Sequence, residues 1–266
     1  FIHGTASSTT GSFSKLWEID AARQTLAKRY PNRIYGFEHR SLTDSPIRNA
    51  LELAHALPIG QTLHVVSHSR GGMVGELLAR ANRLGAEPFT QAERDAFARA
   101  GESHADDAAL LAELGQVLQG KKLRIERFVR VAAPVRGTTL ASGRLDRWAS
   151  VMLNVLGGGL KLLGVPMVSQ AYAALKSFLL AVVRERTDAR VLPGLAAMMP
   201  DSPLVALLNA PDVDIDASVH VLAGSYQGDN LLSWLASRLS ESFYGGQTDL
   251  VVNTPSMSGG AARRRG

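Results

Sequence analysis

The chain has 266 residues, 45% of them hydrophobic and 20% charged, a balance that suits one large α/β domain with a well-buried core and argues against disorder. Its net charge of +5 comes from 29 basic and 24 acidic residues, and before the terminal Arg263, Arg264 and Arg265 no stretch interleaves Lys and Arg with aromatics as a nucleic-acid surface requires. The absence of cysteine excludes a disulfide framework, a thiolate metal site and a cysteine nucleophile, and it leaves the compartment open with only a lean towards the cytoplasm.

Phe1-Ile2-His3-Gly4 has the character of a strand interior and lacks the charged and apolar regions of a signal peptide, so the chain is expected to be an excerpt of a longer polypeptide carrying further domains. Ser7 to Ser12 reads as a polar loop, and Leu16, Ile19, Ala22 and Leu26 recur at helical spacing up to Tyr30-Pro31, predicting one helix. Arg33 to Phe37 reads as a strand, Pro46 to Leu57 as a helix opened by proline, and Thr62 to Val66 as a strand. Arg127 to Ala132 and Val219 to Ala223 are two further apolar strands. Alternating strands and helices predict the α/β class, with a mostly parallel sheet covered by helices on both faces.

Two segments interrupt the alternation. The first, Thr90 to Gln119, is rich in Ala, Glu, Asp and Leu and reads as a small surface helical excursion, at about residues 90–120. The second, about 140–210, offers helix after helix, among them Trp148 to Leu156, Ala171 to Val183 and Leu204 to Leu208, separated by Gly157-Gly158-Gly159. It reads either as a helical subdomain packed on the core or as a cap that gates the site. Its uncharged runs, bounded by Arg147, Lys161 and Lys176, fall short of the ~20 residues of a membrane span, so no transmembrane segment is expected. Ser258 to Gly266 reads as a dangling or linking tail.

The stretch from Leu63 to Ala79 carries the chemistry. An apolar run breaks into Ser67-His68-Ser69-Arg70-Gly71-Gly72, and Met73 to Ala79 follows with helical period. A strand, a sharp turn and a helix can thrust the Ser69 hydroxyl clear of its neighbours when the flanking residues are small, as Ser67, Gly71 and Gly72 are. The competing reading is a glycine-rich helix start of structural use alone. A serine nucleophile also needs N–H donors for an oxyanion, a base, and a carboxylate to orient the base. Thr5, after the first strand, and Arg70, after the serine, are the candidate backbone donors; the Arg70 side chain itself reads equally as solvated or as a contact to the insertion. Asp249, in Gly245-Gly246-Gln247-Thr248-Asp249-Leu250, is the candidate acid, against a turn aspartate as its plainer reading. Asp212, Asp214 and Asp216 alternate like a calcium loop, but Ala217 and Ala223 stand where Gly and Glu are needed, so they read as a solvated lead-in to a strand. None of the seven histidines, His3, His39, His55, His64, His68, His104 and His220, follows Asp249, and each reads as packed or hydrogen-bonded structure before it reads as a base.

Taken together, Phe1-Ile2-His3-Gly4-Thr5, Ser67 to Gly72, Ala132-Ala133-Pro134-Val135-Arg136-Gly137 and Thr248 to Val252 resemble the lipase-like branch of the α/β-hydrolases, in the family's order. The pattern is similar to bacterial triacylglycerol lipases and inositol-deacylase-like serine esterases. The resemblance implies an α/β-hydrolase fold with Ser69 as nucleophile, Asp249 as acid and the Thr5 and Arg70 amides as oxyanion donors, acting without metal or organic cofactor on a small-molecule or lipid ester. Ser67 and Leu250 stand where the family has glycine, and the family's histidine follows the acid, so it is expected beyond the last residue of this chain. An acyltransferase or thioesterase using the same triad, and a non-catalytic interaction module of hydrolase-like fold, are the alternatives.

Overall fold

The computed structural model describes residues 1–5, 7–101, 104–138, 193–223 and 254–263. In chain order these form helices α1 (Thr9–Glu18), α2 (Asp20–Arg29) and α3 (Pro46–Ala56), strand β1 (Thr62–His68), and helices α4 (Gly71–Ala79), α5 (Gln91–Arg99) and α6 (Ala105–Lys121). Then come strand β2 (Arg124–Val131), short helices α7 (Pro193–Ala196) and α8 (Pro203–Leu208), strands β3 (Asp214–Ile215) and β4 (Ser218–Leu222), helix α9 (Thr254–Met257) and strand β5 (Ala262–Arg263).

The apolar runs pair where their pattern requires. β1, β2 and β4 form a parallel sheet in that order, and Ile2 bridges in parallel to both Ser67 and Phe37. The lateral order is therefore Phe37, Ile2, β1, β2, β4. From Ile2 the chain steps first to one side and then back across to the other, so its lateral direction reverses between Ile2 and β1. In parallel sheets ligands gather beyond the carboxyl ends of the strands at such a reversal, because the two outgoing loops diverge and leave a crevice.

Side-chain alternation assigns helices to both faces. A Cβ at Gly75 of α4 would meet Phe128 of β2, Ser67 of β1 lies near Gly72, and Arg130 of β2 reaches Glu76, so these faces turn towards α4. On the other face the His68 ring meets Phe13 of α1, and His64 meets Tyr30 after α2. The protein is thus mixed α/β, with a small parallel sheet between helices.

Several local expectations change. The helix begins at Thr9, inside the predicted loop, because the Ser8 hydroxyl accepts from Gly11 N at 3.0 Å and caps it. It breaks at Ile19, whose backbone is extended (φ −83°, ψ 105°) and whose side chain is 56% exposed, so the apolar periodicity joins two helices rather than one. Of Arg33 to Phe37 only Phe37 bridges to the sheet. The 90–120 stretch forms two helices whose apolar side chains Phe97, Leu111, Leu114 and Leu118 are buried in the main core. The expected helices at 148–156 and 171–183 lie outside the described residues. Among the described residues no helix is long and apolar enough to cross a membrane.

The tail is docked rather than dangling over its described part. β5 pairs with β3, and Arg263 donates to Glu76 Oε2 at 2.5 Å while Arg130 donates to Glu76 Oε1 at 2.9 Å and to Gly259 O at 2.7 Å. All three charged side chains are more than nine-tenths buried. Replacing Arg263 with Met should lower unfolding free energy by about 1.5–3 kcal/mol, the worth of a hydrogen bond to a charged group. Urea unfolding would check this, and an unchanged midpoint would mean the tail is only laid against the surface.

Candidate active site

Ser69 sits at the bend between β1 and α4 with φ at +52°. A side chain in the left-handed region costs roughly 1–2 kcal/mol, so the surroundings must hold it there. Ser69 N donates to Val131 O at 2.8 Å, Gly72 N donates to Ser69 O at 2.9 Å, and His68 N donates to Ile2 O at 3.0 Å. Behind the bend, a Cβ at Gly71 would lie 2.5 Å from the carbonyl oxygens of both Ile2 and His3, so only glycine lets α4 start this close to the first strand. The serine itself remains partly exposed.

Gly4 brings the other loop against the serine: a Cβ there would lie 2.9 Å from Ser69 Cβ. The two loops that meet are those leaving Ile2 and β1, the pair flanking the reversal of the sheet. The next peptide is oriented by His3, which is 1% exposed. His39 N donates to His3 Nε2 at 3.2 Å, a nitrogen that also lies 3.4 Å from Glu38 Oε2, and in either the neutral form that accepts from His39 or the protonated form that pairs with Glu38 the Nδ1 proton is donated to Gly4 O at 2.9 Å. Across a trans peptide the carbonyl and the following N–H point in opposite directions, so this bond turns the Thr5 N–H away from the His3 ring. Neither the Thr5 nor the Arg70 amide donates to an acceptor among the described residues.

The Arg70 side chain is not solvated. It is fully buried, and its guanidinium donates to Asn49 Oδ1 at 2.8 Å, to Gly194 O at 3.2 Å and to Asp44 O. Burial draws its pKa down to about 9, with Asp44 working in the opposite direction. Gly194 belongs to the stretch read as the insertion, so of the two expectations for this side chain the contact is realised. Neither Asn49 nor Asp44 carried any signal in the sequence, because a side chain that answers a residue more than twenty positions away leaves no local pattern.

Asp249 lies outside the described residues. The ends of the stretch that contains it are both at the carboxyl edge of the sheet: Ala132 N donates to Leu222 O at 3.0 Å, and Met257 packs with Ala132, next to the Val131 carbonyl that receives Ser69 N. The stretch 139–192 also starts and returns beside the first loop, where Thr138 N donates to Met198 O at 2.8 Å and Thr5 Oγ1 approaches Met198 Sδ at 3.8 Å. Asp216, read as solvated, pairs with Arg124 at 3.4 Å at the surface.

Among the described residues no histidine is hydrogen-bonded to Ser69 Oγ. His68 points its ring towards Phe13, and its buried Nδ1 has no partner there. Burial, and then the neighbouring His3, lower its pKa. His39 stacks on His3 at 4.0 Å, and its pKa falls to about 3, chiefly from burial and then from His3 and Arg70. His55 pairs with Glu113 at 3.2 Å, His64 with Glu126 at 3.1 Å, and His104 lies 3.9 Å from Asp107, while His220 is exposed on β4.

These features define a class: a mixed α/β protein that presents a serine at a strained strand-to-helix bend, at the reversal point of a parallel sheet. The chain belongs to the family described as a domain of unknown function, DUF7379, whose profile matches residues 1–104 and 108–265. No curated protein matches it.

The two neutral histidines make stability depend on pH with a definite sign. Their folded pKa values lie below 6.5, so as pH falls beneath 6.5 the unfolded chain takes up protons that the folded chain refuses. Stability is full above pH 6.5 and declines towards pH 3, for His39 by at most about 1.4 kcal/mol per pH unit, reduced by its partial exposure. Denaturation curves at pH 7 and pH 5 should show the decline, and His39→Gln should make it shallower; identical slopes in the two proteins would contradict the assignment.

Proposed function

We propose that this chain is a serine hydrolase domain of α/β-hydrolase fold that cleaves carboxylic esters. The single observation that carries the reading is the conformation of Ser69: a partly exposed serine at φ +52°, on the carboxyl edge of the sheet, with the Gly4-Thr5 loop against its Cβ. Asn32, Lys122 and Ala132 share this costly conformation, but of the four only Ser69 places a hydroxyl there, at the start of a helix and on the carboxyl edge of the sheet, as a positioned nucleophile requires. The lateral order, with Ile2 bridging between Phe37 and β1, is also the order a doubly wound sheet needs to place two loops at one crevice.

In the proposed reaction Ser69 Oγ attacks the ester carbonyl carbon, and the oxygen, now negative, is received by the Thr5 and Arg70 amides. A histidine oriented by Asp249 takes the serine proton and returns it to the departing alcohol; water then releases the acid by the same steps. The stretches flanking Asp249 return to the same edge as Ser69, which supports its assignment as the acid.

Treating the full-length protein with a fluorophosphonate probe tests this. Wild type should be labelled and should hydrolyse nitrophenyl acyl esters, and Ser69→Ala should lose both, leaving at most a residual rate about 10³ to 10⁴ above water. A wild type that neither labels nor turns over would favour a recognition module built on the same fold. Transfer of the acyl group to an added alcohol or thiol in preference to water would mark an acyltransferase.

A further inference from the structure

Arg70 offers a second function for the residue that follows the serine. Its guanidinium is completely buried and is bound only by neutral oxygens, those of Asn49, Asp44 and Gly194. Among the described residues no carboxylate lies within ion-pair distance of it. Asp44 opposes the effect of burial without offsetting it, and a buried cation with no carboxylate in direct contact among the described residues is expensive, a cost that side chains serving packing alone avoid. The expense is also avoidable here. Asn49 is fully buried and its Nδ2 has no partner among the described residues, so an aspartate of the same shape would bring a carboxylate against the guanidinium and remove the orphaned donor.

We propose that the buried charge of Arg70 works on the reaction: from behind the bend it stabilises the negative oxygen that forms when Ser69 attacks, while its tethers fix the amide that receives that oxygen. This rests on the hydrolase reading above and adds to it an electrostatic role for a side chain that does not touch substrate. Covalent geometry keeps a guanidinium within about 7 Å of its own amide nitrogen. In a site with an effective dielectric of about 20, a unit charge about 7–10 Å away changes a rate by about 10- to 50-fold. Salt does not screen it, because the group is out of reach of solvent. The same field already acts on a second neighbour, His39, whose proton affinity it lowers.

The decisive variant is Asn49→Asp in the full-length protein, with three readouts: melting temperature, kcat and KM on a nitrophenyl acyl ester, and the rate of fluorophosphonate labelling. Neutralising the cation should raise the melting temperature, lower kcat and the labelling rate by about 10- to 50-fold, and leave KM within about twofold. A purely structural role would raise the melting temperature and leave kcat alone, and that result would overturn the inference. Should Asn49→Asp fail to fold, Arg70→Lys and Arg70→Met decide: the charge-retaining variant should keep more than ten times the kcat of the neutral one, and equal values would overturn the inference. A labelled wild type whose rate is untouched by these variants removes only this inference, whereas an unlabelled wild type removes the hydrolase reading and this inference with it.

Discussion

One of four non-glycine residues held in the left-handed region among the described residues, Ser69, sets the terms for its surroundings. Its backbone costs free energy that the bend alone cannot repay, so β2 must supply a carbonyl to its amide, α4 must start at a glycine jammed against the carbonyls of Ile2 and His3, and Gly4 must leave room for its Cβ. Each of these depends on the parallel order of the sheet, which brings Ile2 beside β1 and so brings two loops to one point. The His3 bond to the Gly4 carbonyl then orients the next amide.

The helix that follows the serine is secured by charge as much as by apolar packing. At its start Arg70 reaches Gly194; in its middle Glu76 takes Arg130 and Arg263; just past its end Arg80 donates to Leu207 O at 2.5 Å and to Glu93 at 2.8 Å. All of these partners except Arg130 and Glu93 come from the last third of the chain. Buried ion pairs add little net stability compared with apolar packing of equal volume, but breaking one is costly, so they resist sliding of the helix. The consequence is a bend whose two sides are tied to late segments of the chain, including the segment that follows the Asp249 loop.

What could be read in advance was what is encoded locally. β1, α3, α8, β2 and β4 lie within a few residues of their expected places because apolar strand runs, Pro46 at a helix start and the apolar run Leu204 to Leu208 are short-range signals. Ser69 was legible because a strand, small residues and a helix sit next to each other in sequence. The break at Ile19 was not, since an apolar residue at helical spacing looks the same whether it continues a helix or ends one. α5 reads as surface because its residues other than alanine are charged or polar apart from one aromatic, Phe97, whose burial a single side chain cannot announce as periodicity. β5 is two residues long, and the burial of Arg263 depends on Glu76, 187 residues away. Which of its two readings the Arg70 side chain takes was illegible for the same reason: its acceptors are Asn49, Asp44 and Gly194, and nothing near Arg70 in the sequence refers to them.

The central claim is geometric, that Ser69 is presented to a reacting carbonyl with the Thr5 and Arg70 amides directed at its oxygen. A crystal structure of the protein after reaction with a phosphonate ester tests it most directly. The account predicts phosphorus bonded to Ser69 Oγ, with one non-bridging oxygen about 2.7–3.1 Å from both amide nitrogens. Density on any other residue, or a Ser69 adduct whose oxygens turn away from Thr5 and Arg70, would contradict it.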